Sequence, residues 1–158
     1  MNPNKLLQEI RTARTSGITY LVVYEKPTHS EWELSVLRFF PMAGALPDNF
    51  KDSLIKVDAS KLARDILTEL LHHDLAYNAE ITSLEKARLL ADSFISLFSS
   101  QAVYFSNSTW NKNEYKGKDK NFEFGLSSWT SLTDETFDSG IIICDTDKIG
   151  IAWFADED

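Results

Sequence analysis

The sequence predicts an α+β domain, with helices packed on a mainly antiparallel sheet and a C-terminal β-hairpin over residues 140–154. The first supporting observation is the order of elements, a helix, a strand, further helices and then strands, instead of a regular βαβ alternation. The second is a change of apolar spacing after Ser99-Ser100, from the helical period of about 3.6 towards the strand period of about 2. The third is a pair of apolar runs, 140–144 and 149–154, joined by a four-residue connection.

Length and composition predict a single folded domain over 1–158. The chain has 158 residues, of which 43% are hydrophobic and 25% charged, values typical of one globular domain. One thiol excludes an internal disulfide, and the position of Cys144 in an apolar run predicts a buried core residue of a reduced protein. The sequence shows neither a secretory leader nor an apolar stretch near the roughly 18 residues of a membrane span. We therefore expect a cytoplasmic protein.

Apolar spacing and the positions of Gly and Pro divide the first half of the chain. They predict a helix over 3–15, a strand over 18–25, a loop over 41–52 and a short strand over 54–57. Asn2 is suited to cap the first helix, and Pro3 to occupy its first turn. Residues 30–40 fit both an alternating strand and a helical face, so both interpretations stay open.

The second half continues with two helices and ends in strands. The predicted segments are helices over 59–75 and 82–98, a strand over 102–105, a flexible loop over 107–120, a strand over 121–129 and an acidic tail over 155–158. Asp58 can cap the first helix, and Thr82 with Glu85 has the pattern of a capping box for the second. Both runs of the final hairpin are apolar on both faces, which predicts a central position or a cover by a helix or partner.

The negative charge of the chain is concentrated near its C-terminus. The formal net charge is -8, and residues 131–158 hold eight acidic groups and one basic group. Nucleic-acid phosphates attract positively charged proteins, so a chain this acidic is unsuited to bind nucleic acid. Its negative charge instead favours a basic protein partner, with aromatic side chains as anchors. The predicted partner-binding residues are Asp134, Glu135, Asp138, Asp145, Asp147, Trp153, Asp156, Glu157 and Asp158. The alternative is a solvated acidic rim that aids solubility.

Catalytic and metal-binding motifs are missing or have simpler interpretations. His72 and His73 are adjacent, and neighbouring helical residues point about 100° apart, so the pair lacks the spacing of a zinc-binding helix. Asp145-Thr-Asp147 is typical of a turn. The sequence contains no nucleophile elbow, phosphate-binding loop or dinucleotide fingerprint. We therefore predict a protein that is not an enzyme and has no cofactor or metal.

Two segments of the C-terminal quarter carry a resemblance to a known class of protein. They are Thr136-Phe-Asp-Ser-Gly-Ile-Ile-Ile-Cys144 and Lys148-Ile-Gly-Ile-Ala-Trp-Phe-Ala-Asp-Glu-Asp158. With them the chain resembles in kind the small acidic immunity proteins of bacterial toxin–immunity systems, such as contact-dependent growth inhibition. The resemblance implies a cytoplasmic, single-domain protein that binds a basic toxin, commonly a nuclease, over its cationic substrate cleft.

The sequence leaves two other functions open. A small hydrolase that uses scattered carboxylates would require an enclosed pocket with an Asp or Glu of raised pKa. An accessory subunit would bury the final hairpin in an oligomer. An enclosed pocket would therefore identify the hydrolase, and self-association would identify the accessory subunit.

Overall fold

The computed structural model describes residues 2–40, 52–111 and 125–157, and within them the chain forms four helices and two antiparallel sheets. The helices are α1 (Pro3–Ala13), α2 (Trp32–Leu37), α3 (Ser60–His72) and α4 (Leu84–Ile95). The strands are β1 (Ile18–Glu25), β2 (Ile55–Val57), β3 (Val103–Ser106), β4 (Ser108–Asn111), β5 (Gly125–Trp129), β6 (Phe137–Cys144) and β7 (Lys148–Asp156). The predicted α+β class is confirmed.

The hairpin of β6 and β7 forms the centre of the main sheet. The strand order is β1-β7-β6-β3-β2, and every neighbouring pair is antiparallel. In the hairpin, Phe137 lies opposite Asp156 and Cys144 opposite Ile149, so the pairing extends beyond the predicted 140–154. Strands β4 and β5 pair with each other in a separate two-stranded sheet.

Side chains of the central hairpin alternate between two apolar cores. Ile143 and Phe154 belong to a core that α1, α3 and α4 build on one face of the sheet. Ile142 and Trp153 belong to a core on the other face, which includes Val36 of α2. The chain itself therefore covers both faces of the hairpin, which accounts for two strands that are apolar on both sides.

Tertiary packing resolves the segment that fits both a helix and a strand. Residues 30–40 contain the short helix α2, in which Val36 is fully buried. The Trp32 ring lies 5.2 Å from the Phe105 ring of β3, and Phe40 is buried in the same core. The helix brings Trp32 and Val36 onto one face against the sheet. The predicted loop over 41–52 falls, apart from Asp52, outside the described residues.

The helix starts differ from two sequence predictions. The N-cap of α3 is Ala59, which makes no side-chain cap bond, so Asp58 is not the cap. The N-cap of α4 is Ser83, whose Oγ accepts from the backbone N–H of Lys86 at 3.2 Å, so the predicted capping box at Thr82 is wrong. The buried Thr82 hydroxyl donates instead to the Ala13 carbonyl at 2.7 Å. The Thr82 hydroxyl thus makes a tertiary contact with α1 and does not cap α4.

Two predicted irregular segments are partly strand. Residues 108–111 of the predicted loop 107–120 form β4, and 112–120 lie outside the described residues. Ala155 and Asp156 of the predicted tail 155–158 belong to β7. The predicted helices end two or three residues early, at Ala13, His72 and Ile95. No helix in the described ranges is long and apolar enough to cross a bilayer.

Candidate partner-binding surface

Four of the predicted partner-binding residues are buried. They are Asp138, Asp145, Trp153 and Asp156, each at most 3% exposed. A buried carboxylate loses its hydration, so it is stable only where donors or a cation enclose it. The surroundings of each acid therefore decide what it does.

Asp156, at the end of β7, forms a buried ion pair with Arg14. The two terminal guanidinium nitrogens donate to its carboxylate at 3.0 and 2.7 Å. Ser16 Oγ donates at 3.0 Å and the backbone N–H of Leu75 at 2.8 Å. Burial alone would raise the pKa of Asp156, but these bonds and the Arg14 charge outweigh it and lower the pKa. The carboxylate thereby joins β7 to the segments that follow α1 and α3.

Asp138 of β6 organises the segment that precedes its own strand. Its carboxylate accepts from the backbone N–H groups of Leu132 at 3.1 Å and Thr133 at 2.7 Å. The Thr133 hydroxyl donates at 2.7 Å and the Asn107 side-chain amide at 3.0 Å. The chain between β5 and β6 is thus held against the sheet by one fully buried acid.

Asp145 begins the hairpin turn and binds the loop after α4. The backbone N–H and the hydroxyl of Ser99 each donate to its carboxylate at 2.6 Å, and the N–H of Thr146 donates at 2.8 Å. Burial works to raise the pKa of Asp145, but the bonds from Ser99 and Thr146 lower it overall. The interpretation of Asp145-Thr-Asp147 as a turn is confirmed.

Trp153 is a core residue. Its side chain has no exposed surface, and its ring meets Phe40 edge-on at 5.4 Å between centroids. The prediction that Trp153, Asp138, Asp145 and Asp156 form a docking surface is therefore wrong. The physical reason is that each acid has at least one partner from a distant part of the chain, as with Arg14 and Asp156, which are separated by 142 positions.

Three predicted acids remain at the surface and lie together. Asp134, Glu135 and Glu157, which we call the acidic corner, occupy the end of the sheet where β6 begins and β7 ends. Asp134 and Glu157 are exposed, and Glu135 is partly exposed. Thr136 orients Glu157, because its backbone N–H and its hydroxyl both donate to that carboxylate, the hydroxyl at 2.8 Å.

Glu135 and Glu157 form a carboxyl pair within the acidic corner. Their mutual hydrogen bond raises the pKa of Glu135, together with desolvation and the charges of Glu157, Asp134 and Asp138. The bonds from Thr136 lower the pKa of Glu157. Glu135 therefore retains a proton to higher pH than an isolated glutamate, while Glu157 stays ionised. A cation beside the pair would favour the loss of that proton.

Two residues beside the acidic corner were not identified from the sequence. Ile18 of β1 is 43% exposed and pairs with Ala155, two positions before Glu157. Tyr20 packs in the same core as Trp153. Burial raises the pKa of the Tyr20 hydroxyl, and so do the charges of Glu135, Asp138 and Asp134, which indicates that the ring lies close to them. The pairing of β1 with β7 creates this neighbourhood, and no local pattern signals it.

Asp147 lies apart from the acidic corner, in the turn at the opposite end of the hairpin. Strand β7 has nine residues, which separates its two ends by about 26 Å. The Asp147 carbonyl accepts from the backbone N–H of Lys26 at 2.9 Å, and Lys148 follows in sequence, so this end carries both charges. Asp158 lies outside the described residues.

The adjacent histidines are structural neighbours. Their rings lie 3.9 Å apart, so the expected offset of about 100° does not separate them. The reason is that His73 follows the helix in an extended conformation. His72 Nδ1 bonds the Thr82 carbonyl and His73 Nδ1 bonds Glu69, both at 2.7 Å. Among the described residues, no three His, Cys, Asp or Glu side chains are arranged to hold a metal ion.

Two surface clefts bear on the hydrolase alternative. One has a volume of 460 Å³ and contains a single acid, Asp58. The other has a volume of 520 Å³ and lies against α4, where Glu85 and Asp92 line it. Glu135, which among the described carboxyl groups is the one with a raised pKa, lines neither cleft. This geometry lends the hydrolase no support.

Comparisons of the chain with protein-family models, with characterised proteins and with solved structures find no match. A function must therefore follow from the surface itself. The acidic corner offers carboxylates at one exposed end of the sheet, with Tyr20 and Ile18 of β1 beside them. Such a surface fits a partner that presents lysine or arginine next to an apolar patch.

Proposed function

We propose that this chain is an immunity protein that binds and neutralises a basic toxin domain, a nuclease, by covering its active site. In this proposal the contact surface is the acidic corner, with Tyr20 and Ile18 beside it. The protein acts in the cytoplasm of the bacterium that makes the toxin, and it catalyses no reaction. The observation that supports it most directly is the clustering of Asp134, Glu135 and Glu157 at one accessible end of the sheet, where Thr136 orients Glu157.

The electrostatics of the corner suit a cationic cleft. A nuclease binds substrate phosphates with arginine and lysine, and clustered carboxylates can occupy the same positions. Charge complementarity of this kind chiefly accelerates association and rejects wrong partners. Most of the affinity would come from buried contacts, for which the Tyr20 ring and the Ile18 side chain are available.

The buried acids support this surface from below. Asp138 fixes Leu132 and Thr133, directly before Asp134, and Asp156 fixes the end of β7, directly before Glu157. Both chain segments that carry the corner are thereby anchored on the central hairpin. Because less flexibility is lost on binding, such preorganisation increases affinity.

The test uses the toxin domain encoded beside this chain, purified and mixed with the full-length protein. Inhibition of nuclease cleavage and the association rate constant are measured at low and high salt. The test variant carries Asp134→Lys, Glu135→Lys and Glu157→Lys, and the matched control carries Asp147→Lys at the other end of the hairpin. Thermal unfolding of each variant checks that the fold is retained.

We expect the wild-type chain to bind the toxin 1:1 and to abolish cleavage. The triple variant should associate at least about tenfold more slowly at low salt, and the difference should shrink as salt screens the charges. The Asp147→Lys control should behave as the wild type. Absence of toxin binding at low salt, or a triple variant that protects as well as the wild type, contradicts the proposal.

Binding should also depend on pH through Glu135. Its pKa is raised in the free protein, so docking of a cation at the carboxyl pair releases its proton. Affinity is then expected to rise as pH increases above the ordinary glutamate value of 4.5 and Glu135 ionises. Glu135→Gln should remove this part of the pH dependence, and an unchanged pH profile would exclude Glu135 from the contact.

A further inference from the structure

Strand β1 is an outer strand of the main sheet, and its eight residues pair with β7 on one side. The backbone N–H of Lys26, directly after the strand, donates to the Asp147 carbonyl at 2.9 Å, so Lys26 directs its backbone groups towards β7. Because consecutive residues of an antiparallel strand alternate in this direction, the odd-numbered residues of β1 direct their N–H and carbonyl groups away from the sheet. They are Thr19, Leu21, Val23 and Glu25.

These outward backbone groups have one hydrogen-bond partner among the described residues. Arg11, an exposed residue of α1, donates from its guanidinium to the Leu21 carbonyl at 2.6 Å. The other outward groups bond to nothing in the described ranges. An open edge rich in β-branched and aromatic residues is a template for another strand, and proteins block such edges with charged side chains. Arg11 lies where such a block is needed.

A second copy of the chain can supply a strand that fits this edge. Two β1 strands can pair antiparallel about a two-fold axis that passes through Val22, as in a symmetric dimer. Leu21 of one copy then lies opposite Val23 of the other, and every outward backbone group of β1 finds a partner. No like charges lie opposite each other, because Glu25, the one acid of the strand, faces Thr19 of the other copy.

The ends of the paired strands are also complementary in charge. In this register, Lys26 of one copy lies opposite Ile18 of the other. Ile18 pairs with Ala155 of its own β7, two positions before Glu157, so Lys26 reaches the acidic corner of the other copy. This contact occurs twice by symmetry, which reduces the repulsion between two chains of net charge -8.

Arg11 opposes this pairing in two ways. The Leu21 carbonyl would have to exchange the Arg11 guanidinium for the Val23 N–H of the other copy. The two Leu21 residues would also lie about 8 Å apart near the centre of the paired edge, which forces two guanidinium groups together. Like charges brought together at an interface are strongly unfavourable.

We propose that the outward edge of β1 is a pairing surface for a second copy of this chain, and that Arg11 holds this surface closed. With Arg11 in place the chain stays monomeric, and loss of the guanidinium opens the edge. The surface needs no toxin, because its partner is the chain itself, so it is independent of the proposed function.

The test compares full-length wild type and Arg11→Ala by sedimentation velocity at physiological salt, from about 10 µM to about 1 mM protein. Lys5→Ala is the matched control, because it removes the same charge from another exposed position of α1. Val23→Pro, added to Arg11→Ala, removes one outward N–H and leaves the bonds to β7 in place, since proline is tolerated on a free strand edge. Val23→Ala in the same background keeps that N–H.

We expect wild type and Lys5→Ala to stay monomeric over this range. Arg11→Ala should dimerise with a dissociation constant of about 100 µM or less, at least about tenfold below that of wild type. Its Val23 amide hydrogen should exchange with solvent more slowly than in wild type, because pairing buries that group. Adding Val23→Pro should restore the monomer, whereas adding Val23→Ala should leave the dimer.

A monomeric Arg11→Ala at about 1 mM would overturn the proposal. A wild-type or Lys5→Ala dimer as tight as that of Arg11→Ala would overturn it too, because the Arg11 contact would then not close the edge. The same holds for a dimer that persists after Val23→Pro is added, since the contact would lie elsewhere. If Val23→Pro fails to fold, Thr19→Pro removes the next outward N–H and decides the point in its place.

Discussion

Replacement of Asp156 by asparagine tests whether the buried acids stabilise the fold instead of contacting a partner. Asparagine preserves the shape and can still accept from the Leu75 N–H, but it removes the charge opposite Arg14. The Arg14 side chain is 0% exposed and also donates to the carbonyls of Leu70 at 2.6 Å and Ser16 at 2.8 Å. It is held in the interior and cannot recover its hydration by moving outward.

The expected loss follows from that geometry. An uncompensated buried charge costs about 3–5 kcal/mol of unfolding free energy. In a chain of 158 residues, each kcal/mol lowers Tm by about 2–4 °C, so we expect a decrease of about 6–20 °C. The double variant Arg14→Met with Asp156→Asn removes the unpaired cation and should be more stable than Asp156→Asn alone.

The assay is thermal and urea unfolding of the wild type and the variants at neutral and acidic pH. The control is Glu157→Gln, which changes the exposed acid next to Asp156. The pKa of Asp156 lies below its ordinary value of 3.8 in the folded protein. Its contribution is therefore complete above pH 3.8 and is lost as pH falls through the lowered folded pKa. The difference between wild type and Asp156→Asn should be large at neutral pH and should shrink in acid, while the control stays close to wild type at neutral pH.

Three results would refute this reasoning. The first is a Tm of Asp156→Asn within about 2 °C of the wild type at neutral pH. The second is a double variant whose loss equals the sum of the two single losses, since residues in direct contact should not be additive. The third is a stability difference that grows in acid.

Two further predictions concern the central hairpin. A Cβ added at Gly140 would overlap the Ala152 carbonyl and lie 2.6 Å from the Trp153 Cα. The backbone cannot move aside there, so Gly140→Ala should lower the free energy of unfolding, measured with urea, by about 3 kcal/mol or more. Gly150→Ala meets the Phe98 ring, which can rotate, and should therefore lower it by less. A larger loss for Gly150→Ala than for Gly140→Ala would contradict the packing. Cys144 is 6% exposed, and burial raises the pKa of its thiol. Native protein should therefore react with a thiol reagent only slowly and denatured protein at once, and rapid native labelling would count against the buried position.

Much of the local structure follows from short-range pattern. The predicted strand over 18–25 coincides with β1, because β-branched and aromatic residues suit a pleated, half-buried surface. Asn2 caps α1 as predicted, with its side chain accepting from the Asn4 N–H at 2.9 Å. The two-sided apolar pattern of 140–144 and 149–154 correctly indicates a central hairpin.

Other elements depend on contacts that no local window contains. Residues 30–40 satisfy both a helical and a strand pattern, and α2 forms because its apolar face fits against the sheet. The capping-box pattern places the cap of α4 at Thr82, but the Thr82 hydroxyl donates to the Ala13 carbonyl in the structure, and Ser83 caps the helix instead. The apolar sites next to the acidic corner, Tyr20 and Ile18, are likewise products of the β1–β7 register.

By itself, the sequence determined the α+β class, the central hairpin and the excess of acids near the C-terminus. Only the tertiary structure decided which of those acids are accessible. Asp138, Asp145 and Asp156 are enclosed by donors from Asn107, Ser99 and Arg14, whereas Asp134, Glu135 and Glu157 stay at the surface. The physical reason is that a carboxylate is stable in the interior wherever long-range folding brings donors to it, and charge composition does not record those encounters.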